Sequence, residues 1–405
     1  MKTTRKLAIS AIALAAVANP AFADDKIVKI GNLTDMTSLY ADTGGPGSTL
    51  ASEMAVEDSG LRAKGWTITV VGADHQNKPD IGANIARQWF DVDHVDVIVD
   101  VPNSGVALAV SAVTKEKNGI FLPSGAATAD LTGKACTPNT IHWTYDTYML
   151  ANGTGKAVTK AGGSSWFFLT ADYAFGKALE HDTAAVAEAN GAKILGDVRH
   201  PINTADFSSF LLQAQSSGAK VVGLANAGGD TVNAIKQASE FGIVAGGQKL
   251  AALLLFISDV HAMGLNLAQG LEFTTPYYWD ANDNTRAFGN RFSARMANGN
   301  KPTMAQAGVY SSVLHYLKTL ETIGGNPHDG AKVVAKMKDI PTDDVVFGKG
   351  YIRADNRVIH PAYLYEVKKP SESKYPWDYY KLIATIPAEE AFRPLSESEC
   401  PLVKK

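Results

Sequence analysis

The sequence predicts an α/β fold made of two doubly wound lobes. Three observations predict it: the length, an alternation of short apolar runs with helical patterns, and the restart of that alternation after a pause near 140–146. The chain has 405 residues, more than the roughly 250–300 that a single hydrophobic core organises.

Strand-like runs at 27–33, 66–71, 95–101 and 119–122 enclose helix candidates at about 48–60, 80–93 and 104–117. This is the β-α-β rhythm of a parallel sheet. A second set has strands at 166–170, 193–198, 220–225 and 250–257, with helices at about 174–190, 205–217 and 230–241. Phe207, Phe210 and Leu211 fall on one face of the helix at 205–217, at spacing i, i+3, i+4, and read as sheet-facing core. A strand at 272–278 is followed by helices at about 283–298, 303–322 and 329–338, and strands at 362–367 and 379–386 end the fold. The helices after 280 have no strands of their own and must cover an existing sheet. The chain is therefore expected to cross between lobes more than once, and a cleft between such lobes favours a small ligand.

The N-terminus carries an address. Lys2, Arg5 and Lys6 precede an apolar run from Leu7 to about Val17, and Ala21-Phe22-Ala23 supplies a small-residue cleavage site before Asp24. This reads as a secretory signal peptide, residues 1–23, cleaved after Ala23. A membrane anchor needs about 20 apolar residues, and Pro20 interrupts this run. The whole chain has 38 basic and 41 acidic residues, and removing the three leader cations leaves 35 against 41, a net charge of −6. No basic stripe suits nucleic acid. The two cysteines, Cys136 and Cys400, read as one disulfide in an oxidising compartment, with two buried thiols as the alternative. A bridge would tie the tail, 389–405, back to the first lobe.

Enzyme signatures are missing at the level of motif. The nine histidines make no H-E-x-x-H spacing, and cysteine is too sparse for zinc, so neither metal nor cofactor is expected. Gly153-Thr154-Gly155-Lys156 lacks the upstream glycine of a phosphate loop and continues with Ala157 where a hydroxyl must hold magnesium. No G-x-S-x-G elbow occurs. A secreted enzyme built from residues far apart in sequence is the alternative of a different class.

Binding candidates gather at strand ends. Asn103-Ser104-Gly105 and Ser124-Gly125-Ala126-Ala127-Thr128 each lie in the turn directly after a strand. Such turns present backbone N–H groups to a carboxylate, although each alone is an ordinary cap. Two on neighbouring strands at one sheet edge favour a ligand carboxylate. Tyr40, Tyr145, Tyr148, Tyr173, Phe175 and the Tyr277-Tyr278-Trp279 run lie near other strand ends, where some would wall an apolar pocket. Asn226, directly after the strand at 220–225, joins the candidate set.

Five segments, in order, resemble the leucine/isoleucine/valine-binding family of type I periplasmic solute-binding proteins. They are Ile30-Gly31-Asn32-Leu33-Thr34, the stretch Gly119 to Thr132, Asp172-Tyr173-Ala174-Phe175-Gly176, Asp206-Phe207-Ser208, and Ala238 to Gly242. The resemblance implies two Rossmann-like lobes joined by a three-stranded hinge, with crossings near 145, 275 and 361. The lobes would then be 24–145 plus 276–360 and 146–275 plus 361–388. It implies a monomer that hands its ligand to a membrane ABC permease and ATPase complex from the periplasm. By position, Tyr40 matches an aromatic lid, Ser104 the serine that holds the ligand carboxylate, Gly125 to Ala127 the supporting loop, and Phe175 the closing aromatic of the second lobe.

Two departures bear on the ligand. The family threonine of the carboxylate loop falls at Ala127, with Thr128 one place later. The acid that should pair with an amino acid's ammonium falls near Leu253 or Leu254, within an apolar run that reaches Phe256. A buried ammonium without a partner costs several kcal/mol. An organic acid without an α-ammonium, aromatic above all, is therefore the preferred ligand. Asp230 or Asp259 could still serve an amino acid.

Overall fold

The computed structural model describes residues 25–404. The leader and its cleavage point after Ala23 lie outside the described residues, as does Lys405.

The first sheet contains β1 (Ile27–Thr34), β2 (Thr67–Asp74), β3 (Val97–Asp100) and β4 (Ile120–Pro123). They are all parallel, in the order β2-β1-β3-β4. The second sheet repeats the plan with β5 (Ser165–Ala171), β6 (Lys193–His200), β7 (Val221–Ala225) and β8 (Lys249–Ala252). Its order is β6-β5-β7-β8, again parallel. Every residue of β3, β4 and β7 is buried, as strands covered by helices on both faces must be.

Beyond β9 (Glu272–Thr275) the chain returns to the first lobe. The helix Met304–Ile323 packs on the helix Gly45–Ser59 and on β3, and nearly all of its residues are buried. Thr303 and Gln306 form its capping box. A small antiparallel sheet of β10 (Thr342–Asp344), β11 (Gly348–Ile352) and β12 (Val358–Ile359) comes next. The sequence does not announce it, because strands of two to five residues are too short to show an apolar alternation. The last sheet has the order β14-β13-β9, with β13 (Ala362–Val367) central and β14 (Tyr380–Ile386) on its edge.

Two strand expectations shorten. The strand read as 272–278 ends at Thr275 because Pro276 has no N–H for the ladder. The one read as 250–257 ends at Ala252. Leu253 to Phe256 continue as a buried segment into the helix Ile257–Met263, where Asp259 accepts the Phe256 N–H at 2.9 Å.

Cys136 and Cys400 are bridged, with Cα atoms 5.5 Å apart, inside the usual range. The tail so anchored also reaches the second lobe. Arg393 donates to Asp182 at 2.9 Å and lies over the Tyr148 ring.

Candidate functional site

The site begins with the turn after β1. The Asp35 carboxylate accepts from the N–H groups of Thr37, Ser38 and Tyr40 and from the Asn77 amide. A short Asp-anchored turn of this kind fixes its own backbone, and here it delivers Tyr40 to the cleft.

The ends of β3 and β4 build the adjoining wall. Asp100 and Val101 both adopt left-handed backbone, φ 75° and 54°, which is costly for a β-branched residue and concentrates at functional sites. The Asp100 carbonyl accepts the N–H groups of Ser124 and Gly125 at 3.1 and 3.3 Å. Gly125 must be glycine, since a Cβ there would lie 2.7 Å from Pro102 Cα and 2.8 Å from Asp100 Oδ1. Asn103 caps the helix Ser104–Lys117 by accepting from Gly105 and Val106. Ser104 is thus free to turn its hydroxyl to the β4 loop, where its Oγ accepts from Ala127 and Thr128 N–H at 3.3 and 3.2 Å.

The crossing segment supplies the third wall. The buried guanidinium of Arg357 donates to the carbonyls of Trp143 and Tyr145 and lies 3.7 Å from Asp146. Held in this way, Tyr145 donates its hydroxyl to the Gly125 carbonyl at 2.7 Å.

From the second lobe come Tyr173 and Phe175, at the start of the helix Ala174–Ala189, with ring centroids 5.9 Å apart. The hydroxyls of Tyr40 and Tyr173 hydrogen-bond across the cleft. Gly228 closes the same gap with φ 59°, and a Cβ there would meet the Leu39 carbonyl at 2.8 Å. Burial, before any neighbouring charge, pushes the phenols of Tyr40, Tyr145 and Tyr173 far up, so all three stay neutral.

A ligand enters by parting these walls, since with the lobes in contact they leave a cavity of only about 10 Å³, room for about one water. Of the residues expected from sequence, Tyr40, Gly125, Ala127, Tyr145, Tyr173 and Phe175 line it. Ser104, Ala126 and Thr128 stand one layer behind, joined to the lining through the Ser104 hydroxyl and the loop backbone. Tyr148 lies away from the cavity under Arg393. Asn226 is also away from it, its amide spent on His200 and Thr231.

Thr43, Pro102, Ala227, Leu254, Phe256 and Ala305 complete the lining and are not singled out as contacts by the sequence. Leu254 alone carries a signal, as an apolar residue where an acid is expected. Ala305 arrives on a helix some 200 residues downstream of Pro102, a juxtaposition that one-dimensional spacing does not encode.

Among the described residues, no charged side chain lines this cavity. Asp230 accepts from the Asn203 and Thr204 N–H groups, Asp259 from Phe256, and both face a separate space at the mouth beside Asp42. Burial holds each carboxyl up at about 7. Among the described residues no group of three or more His, Cys, Asp or Glu is placed to hold a metal ion.

A ring-walled space shut between two doubly wound lobes, each contributing an aromatic latch, defines a solute receptor of the two-lobed kind. The chain belongs to the periplasmic binding protein family, whose family model matches residues 27–374. It is 54% identical to a periplasmic binding protein of known structure from Burkholderia mallei, covering 94% of this chain and 100% of that one with a TM-score of 0.90. A branched chain amino acid ABC transporter periplasmic ligand-binding protein from Burkholderia xenovorans is 41% identical, covering 93% and 99%, TM-score 0.81. An ABC transporter solute binding protein from R. palustris in complex with benzoate shares the fold at 20% identity, covering 92% and 99%, TM-score 0.80. The protein is a periplasmic solute-binding component of ABC transport and not an enzyme. No helix among the described residues is long and apolar enough to cross a membrane.

Proposed function

We propose that the ligand is a small organic acid without an α-ammonium, aromatic acids foremost, passed on to a membrane permease and ATPase complex. One observation carries the reading: the cavity is walled by five aromatic rings and Leu254, and among the described residues no carboxylate lines it. An ammonium enclosed there would lose its hydration without gaining a partner. The acid group is assigned to the Gly125–Thr128 loop, whose Ala127 and Thr128 N–H groups converge on Ser104. The flat body is assigned to Tyr40, Tyr145, Tyr173, Phe175 and Phe256. The fold accommodates benzoate in the R. palustris protein, which supports the class of ligand.

The lobes, 24–145 plus 276–360 and 146–275 plus 361–388, would close about the three crossings, in a monomer released by cleavage after Ala23. The second reading, a branched-chain amino acid, is favoured by the likeness to the B. xenovorans protein. It requires Asp230 or Asp259 to leave its present hydrogen bonds. A thermal-shift screen of aromatic acids, aliphatic acids, amides and amino acids tests the proposal. Ligand at about a thousand times its Kd adds roughly 4 kcal/mol to stability. Stabilisation by benzoate-type acids is expected; a response confined to leucine, isoleucine or valine would overturn it.

A further inference from the structure

The loop assigned to the ligand's carboxylate is backed by a carboxyl group of the protein's own. Asp100 ends β3, is fully buried, and neither of its oxygens makes a well-formed hydrogen bond among the described residues. Its surroundings are Thr34 at the end of β1, Gly44 and Ser48 at the start of the helix Gly45–Ser59, and Gly125 after β4. The Thr34 and Ser48 hydroxyls soften its charge. Against them stand burial and the nearby Asp35 carboxylate, and together these hold Asp100 up at about 6. The other titratable group facing it is the neutral phenol of Tyr145, from the crossing segment, and no cation is among its charged neighbours.

Gly125, in the cavity lining, packs against this group. Asp100 Oδ1 lies 2.8 Å from the point a Gly125 Cβ would occupy, and Gly125 itself lines the space. The strained backbone at Asp100 and Val101 keeps the side chain there.

We infer that Asp100 makes ligand affinity proton-linked, with an anionic ligand held tightly when Asp100 is protonated and repelled when it is ionised. The inference rests on the carboxylate reading of the ligand. A negative charge placed against Gly125 strengthens Asp100's hold on its proton, and by reciprocity the proton strengthens the hold on the acid. Binding near neutrality therefore takes up part of one proton per acid from solvent, and affinity falls as pH rises.

The test is calorimetry with sodium benzoate in buffers of different ionisation heat, from about pH 6 to about pH 8, where benzoate stays ionised. The wild-type chain is expected to take up protons and to bind about tenfold more weakly at the upper end. Asp100→Asn should bind within about threefold across the range, with no proton uptake. Asp100→Ser is a second route to the same result should the amide fold poorly. Asp230→Asn and Asp259→Asn, which alter the other two carboxyls held near neutrality, should keep the wild-type slope.

Benzoate binding without proton uptake would overturn the inference and leave the organic-acid reading intact. So would a slope that survives in Asp100→Asn, or one abolished by Asp230→Asn or Asp259→Asn. Failure of benzoate to bind at any pH, with leucine binding instead, would remove both. Leucine affinity that rises with pH and is lost in Asp100→Asn would recast Asp100 as the ammonium's partner and likewise overturn both.

Discussion

Replacing Gly228 by alanine separates lobe closure from fold stability. The position has φ 59° and ψ −134°, a region that essentially only glycine occupies, so any side chain there costs about 1–3 kcal/mol of backbone strain. That cost falls on open and closed forms alike. The second cost falls on the closed form alone, because the new Cβ would meet the Leu39 carbonyl at 2.8 Å and the Tyr40 ring at 3.3 Å. The first contact is with backbone, which cannot swing aside, so the lobes must stand a few tenths of an ångström further apart. A penalty of about 1–2 kcal/mol on closure weakens ligand binding roughly five- to thirtyfold. Calorimetry with whichever acid the screen selects reads the affinity, and small-angle scattering with and without ligand reads the compaction. Gly242→Ala is the control, for it has φ 66° and open space around it; it should lower stability and leave affinity alone. Affinity within about twofold of wild type for Gly228→Ala, with full compaction, would refute the closed geometry across Gly228 and Tyr40.

The Ser104 hydroxyl accepts from Ala127 and Thr128 N–H and keeps its own proton to donate. On the proposed reading, Ser104→Ala removes the hydrogen bond that this proton makes to the ligand carboxylate. It should lower carboxylate affinity by about 1.5–3 kcal/mol, roughly ten- to a hundredfold by calorimetry, with the circular dichroism spectrum unchanged. Leu254→Asp places an acid in the cavity wall; the ratio of leucine to organic-acid affinity should move at least about tenfold toward leucine, and an unmoved ratio would detach position 254 from ligand choice. Thiol titration of the unfolded, unreduced chain should find no free cysteine. Cys400→Ser opens a loop spanning 264 residues and should cost up to about 5 kcal/mol in denaturant unfolding.

Much of this arrangement is written in the sequence because local physics governs it. The parallel strands are continuous apolar runs, and the turn at Asn103-Ser104 and the glycine at 125 are where backbone geometry demands them. Tyr40, Tyr145, Tyr173 and Phe175 meet because each comes after a strand end or a crossing, and strand ends converge at one edge of each lobe. Sequence reasoning falls short where direction or distant packing decides. Tyr148 sits one helical turn beyond Tyr145, yet it turns to Arg393 in the tail. Asn226 lies directly after β7 as expected, but a buried amide needs partners, and His200 and Thr231 supply them. The run Leu253–Phe256 is apolar whether it forms a strand or a buried loop, so the end of β8 at Ala252 leaves no periodic mark. Asp100 is indistinguishable from any acid at a strand end until its neighbours are known to include no cation.

The central claim is that the cavity has no place for an α-ammonium, and one pair of ligands isolates it. Leucine and 4-methylpentanoate share the same carbon skeleton and carboxylate and differ only in that group. Titrated into the wild-type protein at one pH by calorimetry, 4-methylpentanoate should bind at least about a hundredfold more tightly, since an unpaired buried ammonium costs roughly 3 kcal/mol or more. Leucine binding equal to or tighter than its deaminated analogue would contradict the account, and would mean that an acid reaches the cavity in the ligand-bound state.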